Sequence, residues 1–293
     1  MIVAPPEKVR DEAFFPIIAH NKYLLKQLFN ILTNRTGEII QPVLAIRIGK
    51  HHCSFAITNT TASQLYQLAY YFTEEMNADT LNKIFSGHAE LSNSFFQVLI
   101  CYDYSNSIIV PSTHYNVNDA GLLLNVVNGK TINNRIVSES VAGWQIYNVY
   151  AVPEDVHEWI KRNLPSAKTG HNYSLAIRNI RNSDSSGHIS LEILTDELHV
   201  IADKENKLLL TQSFSYSTPA DVVYYLLKIC RQFNLSQQSV NLLLSGLIEK
   251  DSALYKELHQ YFLNVEFREA TWSNDEYPAH FFTSLNDLAR CAS

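Results

Sequence analysis

Nowhere in the chain do about 18 apolar residues run together, which excludes a membrane-spanning helix. There is no excess of basic residues either. The formal net charge is -6 and the pI about 6.0, and binding a nucleic-acid backbone through bulk charge needs a dense basic face. Nucleic acid is therefore not expected as a partner. Cysteine is sparse: Cys53, Cys101, Cys230 and Cys291 lie far apart, with no C-x-x-C spacing for zinc or redox work. All four are expected as buried thiols in a reducing cytoplasm. The N-terminus carries Glu7, Asp11 and Glu12 where a secretory leader would be basic, so none is expected there.

With 46% hydrophobic and 18% charged residues and no low-complexity tract, the 293 residues belong to a folded protein. That length suits two lobes better than one core.

The chain repeats itself. "IRIGKHHCSFAI" (46 to 57) lies over "LEILTDELHVIA" (191 to 202) at a shift of 145, and both read as two strands around a polar turn. "QLYQLAYYFT" (64 to 73) matches "KLLLTQSFSY" (207 to 216) as a third strand at a shift of 143. A helix follows in each half, "ADTLNKIF" (78 to 85) against "ADVVYYLL" (220 to 227), and then a strand from Val98 against one from Leu242. Thr218 as a cap, Pro219 at the first helical position and Asp221 at the positive end mark the start of the second helix. The expected fold is thus α/β, two lobes built from a repeated β-β-β-α-β unit, with boundaries at 1–39, 40–170 and 171–293.

Between the halves, "AVPEDVHEWIKRNLP" (151 to 165) reads as a helix, "SAKTG" (166 to 170) as a linker and "NSDSSG" (182 to 187) as a loop. "HNYSLAIRNI" (171 to 180) fits a helix or a strand. "HNKYLLKQLFNIL" (20 to 32), in the N-terminal extension, is expected as a helix packed on a lobe.

This arrangement resembles the actin, hexokinase and heat-shock ATPase superfamily. More narrowly, "SIIVPSTHYN", "SFSYSTPADVVYYLLKICRQFNL", "NLLLSGLIEKDSALYKELHQYF" and "HFFTSLNDLARCAS" resemble an uncharacterised Bacteroidetes domain family within it. The resemblance covers nearly everything from about residue 40 onward. It implies a two-lobed actin-like ATPase fold and a cytoplasmic bacterial source, but no activity. In that superfamily an acid and a glycine in the first hairpin hold metal and phosphates, a second hairpin faces them, and a glycine pair cradles the adenosine.

Each element departs from this pattern. The first hairpin keeps Gly49 but has Arg47 at the acidic position, where it cannot ligate magnesium. The second keeps an acid, Glu192, but has Leu194 for the glycine that admits a phosphate. The adenosine element has Gly246 followed by Leu247. Arg47 is expected either to pair with Glu192 across the cleft or to lie solvated. Arg47, Gly49, Lys50, Glu192 and Gly246 are thus candidates for a degenerate cleft, with no catalytic residue, metal or cofactor expected.

Other constellations are weaker. His51 and His52 are adjacent, so in a strand they point to opposite faces and form no chelate. His114, His171, His188 and His199 are scattered, and Ser245 lacks a nucleophile elbow. The paired aromatics (Tyr70-Tyr71, Phe95-Phe96, Tyr224-Tyr225, Phe281-Phe282) are expected chiefly inside.

Three functions compete. The first is a non-catalytic binding or scaffolding module that takes a protein partner or self-associates. The alternative is a divergent nucleotide-binding phosphotransferase or ATPase using Asp103, Glu192 or Asp251 in a rearranged cleft. A filament-forming assembly protein is the third.

Overall fold

A computed structural model describes residues 25–33, 40–130, 132–180, 184–272 and 277–292. The first part of the chain forms β1 (Leu25–Leu32), β2 (Val43–Gly49), β3 (His52–Thr58), β4 (Leu65–Thr73), α1 (Ala78–Ser86) and β5 (Gln97–Asp103). An insertion follows, made of β6 (Ser107–Pro111), α2 (Ala120–Asn128), β7 (Asn134–Ser140) and β8 (Ile146–Pro153), before α3 (Glu154–Asn163), β9 (Lys168–His171) and α4 (Asn172–Arg178). The second part comprises β10 (His188–Ile193), β11 (Glu197–Lys204), β12 (Lys207–Ser215), α5 (Pro219–Phe233), β13 (Asn241–Gly246), α6 (Ala253–Tyr261), β14 (Asn264–Phe267) and α7 (Thr283–Arg290).

Two large sheets share one plan. The first runs β1-β4-β3-β2-β5-β9 and the second β12-β11-β10-β13-β14. In each, a meander is continued by parallel strands, β2 with β5 and β9, β10 with β13 and β14. The register repeats with the order. Val43 faces Thr58 as His188 faces Asp203, and Arg47 faces Ser54 as Glu192 faces His199, all at the shift of 145 read from sequence. Cys53 opposite Tyr71 and Leu198 opposite Phe214 give the shift of 143 for the third strand.

β2 and β3 are buried at every position, and the polar residues among them, Arg47, His52, Ser54 and Thr58, are buried with the rest. Both faces need covering. On the outer face of the first sheet, Leu81 and Ile84 of α1 and Val156, Trp159 and Ile160 of α3 pack on Leu44, Ile46 and Ile48. On the second sheet, α5 and α6 do the same through Val222, Leu226, Leu254 and Leu258. Thr218 and Asp221 close a reciprocal capping box on α5, with Pro219 in its first turn, as the sequence signals.

α2 packs on the insertion's own strands, and the inner faces meet α4 and α7. α7 belongs to the second part of the chain, yet its Leu285, Leu288 and Ala289 pack on Val43, Ala45 and Ala56 of the first sheet. α4 leaves β9 with Leu175 packed in the first sheet's inner cluster, and reaches the second sheet through Asn172 to His199 and Tyr173 to Ser213. Of the helix and strand open to 171–180, the stretch is mainly helical, capped by the ring of His171.

Three expectations are corrected. Residues 25–32 form a strand, β1, not a helix, because the open edge of β4 offers hydrogen-bond partners that override a mixed apolar spacing. Residues 20–24 lie outside the described residues. Lys168–His171 of the expected linker extend the first sheet as β9. Cys53, Cys101 and Cys230 are buried, but Cys291 is exposed. Among the aromatic pairs, Phe281 and Phe282 are both buried, whereas Phe96 and Tyr224 face out.

Candidate functional site

β2 and β10 end with their hairpin turns side by side, His51 Nε2 lying 3.8 Å from Asp196 Oδ2. Arg47 sits on the inner face of β2 and Glu192 at the matching place on β10, so the two sheets aim these side chains at each other. Arg47 Nη1 donates to Glu192 Oε1 at 2.5 Å and Nη2 to Oε2 at 2.8 Å, a bidentate pair. Asp103, at the end of β5, stands 2.6 Å from the same Nη2. Ser284 of α7 donates to Glu192 Oε1 at 2.6 Å.

Two imidazoles close the cluster. His52 Nε2 lies 3.1 Å from Asp103 Oδ2, and its ring stacks on Tyr70. His199 Nδ1 lies 3.4 Å from Asp103 Oδ1, 3.7 Å from Glu192 Oε2 and 2.9 Å from Asn172 Nδ2. The Asn172 amide serves either form of this imidazole, its nitrogen donating to neutral Nδ1 and its oxygen accepting from the protonated one.

The Arg47 side chain is 5% exposed and that of Asp103 2%, so solvent contributes little and the charges hold each other. Burial opposes the guanidinium's charge, but Asp103 and Glu192 outweigh it and lift its pKa above the ordinary value. Burial likewise works against the Asp103 and Glu192 carboxylates, and Arg47 overrides it, holding both well below the usual carboxylate range. For His199, burial is opposed by Asp103 and Glu192, and its pKa rises.

Of the five candidate cleft residues, Arg47 and Glu192 are brought into direct contact. Gly49 follows at the turn, where a Cβ would meet the His52 ring at 2.3 Å and the Asp103 carbonyl at 2.8 Å. The space that a phosphate needs beside this glycine is taken by the protein's own imidazole. Lys50 is exposed, and its carbonyl accepts from the Met76 amide. Gly246 ends β13 at φ +82, with a Cβ position only 2.1 Å from the Ile193 carbonyl. Its amide donates to the His280 carbonyl, and the Leu247 amide to Ile193, which ties the adenosine-type turn to the second hairpin. Leu194 is buried.

Of the two alternatives for Arg47, pairing with Glu192 is the one found, and the rest of the cluster is not read from the sequence. Asp103 was considered only as an acid for a divergent enzyme, and His199 as one of several scattered imidazoles. The signal was present: the repeat shift sets His199 across from Glu192, and Asp103 pairs with Gly49 one strand away. Asp251 is exposed in the segment before α6, and Ser245 Oγ points to the Leu191 carbonyl at 3.5 Å.

Beyond the cluster, on the side away from the hairpin turns, the inner face of the second sheet borders a cavity of about 230 Å³ under α4, lined by Asn172, Glu192, His199 and Asp203 among others. No helix of the described residues is long and apolar enough to cross a membrane.

The family described as Protein of unknown function (DUF3822) matches residues 33–265. No curated protein matches the sequence. Among solved structures, a protein from Bacteroides thetaiotaomicron VPI-5482 with an actin-like ATPase fold and unknown function superposes with a TM-score of 0.73 at 20% identity, over 86% of this chain and 96% of that one. The PilM-PilN type IV pilus biogenesis complex gives a TM-score of 0.57 at 12% identity, over 87% of this chain and 99% of that one. The fold is that of the actin-like ATPases.

Proposed function

The chain belongs to the DUF3822 family, and from that premise we propose that it is a cytoplasmic, non-catalytic binding or scaffolding protein, an actin-like ATPase fold that has given up nucleotide chemistry. One observation carries this reading: the buried Arg47–Glu192–Asp103 cluster stands where a metal and phosphates need open space and free carboxylates. Both acids able to serve a magnesium ion are held by a guanidinium, and a cation entering there meets a fixed positive charge. The His52 ring beside Gly49 and the bulk of Leu194 and Leu247 remove backbone access from the remaining sides.

A protein partner is favoured by the insertion. Leu122 and Val126 on α2 are 65% and 76% exposed, and Val117, Val127 and Ile132 lie in the same stretch. Apolar side chains gathered in this way mark interaction surfaces. The structural neighbour PilM is itself described in a complex with PilN. The alternative, a divergent phosphotransferase or ATPase, is favoured only by the cavity beside the cluster.

The test is a thermal melt with millimolar magnesium-ATP together with phosphate release over hours. The expected result is no shift and no release. A ligand at a hundred times its dissociation constant stabilises by ~2.7 kcal/mol, which a melt detects easily. An upward shift that disappears in Arg47→Ala makes this an unorthodox nucleotide site, and turnover makes it an enzyme.

A further inference from the structure

The repeat shows what a sheet edge takes in this fold. β4 does not end the first sheet, because β1 pairs with it antiparallel from Thr73 to Gln67. Its counterpart at the shift of 143 is β12, and among the described residues β12 is the last strand of its sheet. Away from β11, the backbone of β12 meets one partner among the described residues, the Tyr225 hydroxyl donating to the Ser215 carbonyl. A row of unpaired amides and carbonyls is a template for another strand, and edges are commonly guarded by charge, proline or a bulge. Between Leu208 and Ser215 there is neither a charged residue nor a proline. The one irregularity, the extra residue Leu209 where the register shifts between Ala202 and Asp203, leaves Leu210 to Ser215 in unbroken register.

We propose that this edge is a self-association surface, on which β12 pairs antiparallel with β12 of a second copy and joins the two sheets into one. The side chains choose the occupant. Leu210, Gln212 and Phe214 lie opposite Ala202, Val200 and Leu198 on the face toward α5, and Thr211 and Ser213 lie opposite Ile201 and His199 on the face toward α4. An added strand therefore meets two apolar side chains around a polar one on the first face and hydroxyls on the second. β12 has that same pattern. A two-fold axis at Gln212 sets Leu210 against the partner's Phe214 and Thr211 against the partner's Ser213, with Gln212 facing its own copy. An axis at Thr211 or Ser213 instead opposes Gln212 to an apolar side chain. Phe214 stacks on Tyr225, whose ring meets that of Tyr224, 60% exposed, so apolar rings continue into solvent on the α5 side. The pairing is short, so the dimer is a weak one whose population rises with concentration. It uses none of the insertion's exposed apolar residues and none of the buried charge cluster, and neither the magnesium-ATP melt nor the fate of the α2 surface decides it.

The experiment is sedimentation velocity of the full chain from micromolar to hundreds of micromolar. Wild type passes from monomer to dimer as concentration rises. Gln212→Lys and Gln212→Glu each set like charges face to face on the axis and raise the dissociation constant by about tenfold or more. Gln212 is exposed, so both variants fold. Mixing them in equal amounts restores the dimer, because lysine then faces glutamate, an outcome that a folding defect or a different interface does not produce. Leu122→Glu combined with Val126→Glu leaves the dimer intact. The proposal is overturned if wild type stays monomeric throughout, if the dimer survives both Gln212 changes, if the mixture fails to restore it, or if the paired α2 changes remove it.

Discussion

Replacing Arg47 by methionine keeps most of the side chain's volume and removes the charge that binds the two sheets together. Glu192 and Asp103, both buried, then lose the guanidinium held within 2.8 Å of them. Breaking a buried pair from one side typically costs ~3–5 kcal/mol. The escape for the stranded acids is to take up a proton, which sets a ceiling on the loss. With His199 left to hold the charge of one acid, one proton on the other, at an ordinary pKa near ~4, costs ~4 kcal/mol at pH 7 and only ~1.4 kcal/mol at pH 5. The wild type behaves differently. Its two carboxylates are held below their unfolded value, so their contribution is complete above ~4 and is lost only as pH falls through the depressed folded values. Between pH 5 and 7 the carboxylate contribution that changes therefore belongs to the variant, while the His199 imidazole, raised by the same two acids, titrates in both proteins. At ~2–4 °C per kcal/mol, Arg47→Met should melt ~8–16 °C below wild type at pH 7, and the gap should narrow to ~3–6 °C at pH 5. Circular dichroism melts at the two pH values make the comparison. An unchanged melting temperature at pH 7, or an equal gap at both, refutes the reasoning.

His171 caps α4 by accepting from the Tyr173 amide at Nδ1 while its Nε2 meets the Tyr104 carbonyl, and burial pushes its pKa down to about 4. A depressed histidine contributes stability above its unfolded value of ~6.5 that is lost as pH falls toward the folded one, up to ~3 kcal/mol. His171→Asn keeps a capping acceptor without the titration, so its stability should fall less steeply between pH 6.5 and 4 in urea titrations. An identical slope rules the assignment out. Gly246→Val forces a β-branched residue to φ +82 and drives its Cβ against the Ile193 carbonyl. Its melting temperature should fall by at least ~3 °C, from strain of ~1–3 kcal/mol, and a value unchanged within error makes Gly246 an ordinary loop residue.

The sheets were legible because β2 and β3 match β10 and β11 in sequence with a register that survives at a constant shift of 145. The start of α5 was equally plain, since Thr218, Pro219 and Asp221 act on neighbouring backbone alone. What escaped depends on distant parts of the chain. β1 is a strand because β4 has a free edge, a fact absent from residues 25–32. The insertion of β6, α2, β7 and β8 has its own small core around Val110, Leu124, Val149 and Ala151, too brief to show a clear period. The Arg47–Glu192 contact could be inferred because both residues occupy the same place in the repeat. Ser284 and Asn172 reach the cluster and His199 only through the crossing of α4 and α7, which no local pattern announces.

That crossing has a consequence for how the protein comes into being. The first sheet's inner face, Val43, Ala45 and Ala56, is covered by side chains of α7, roughly 240 residues further along. At a ribosomal pace of ~5–20 residues per second, that apolar surface waits about ten to fifty seconds for its cover. The first half is thus synthesised long before it can finish folding, and during that interval it depends on a chaperone or on rapid completion of the chain to escape aggregation.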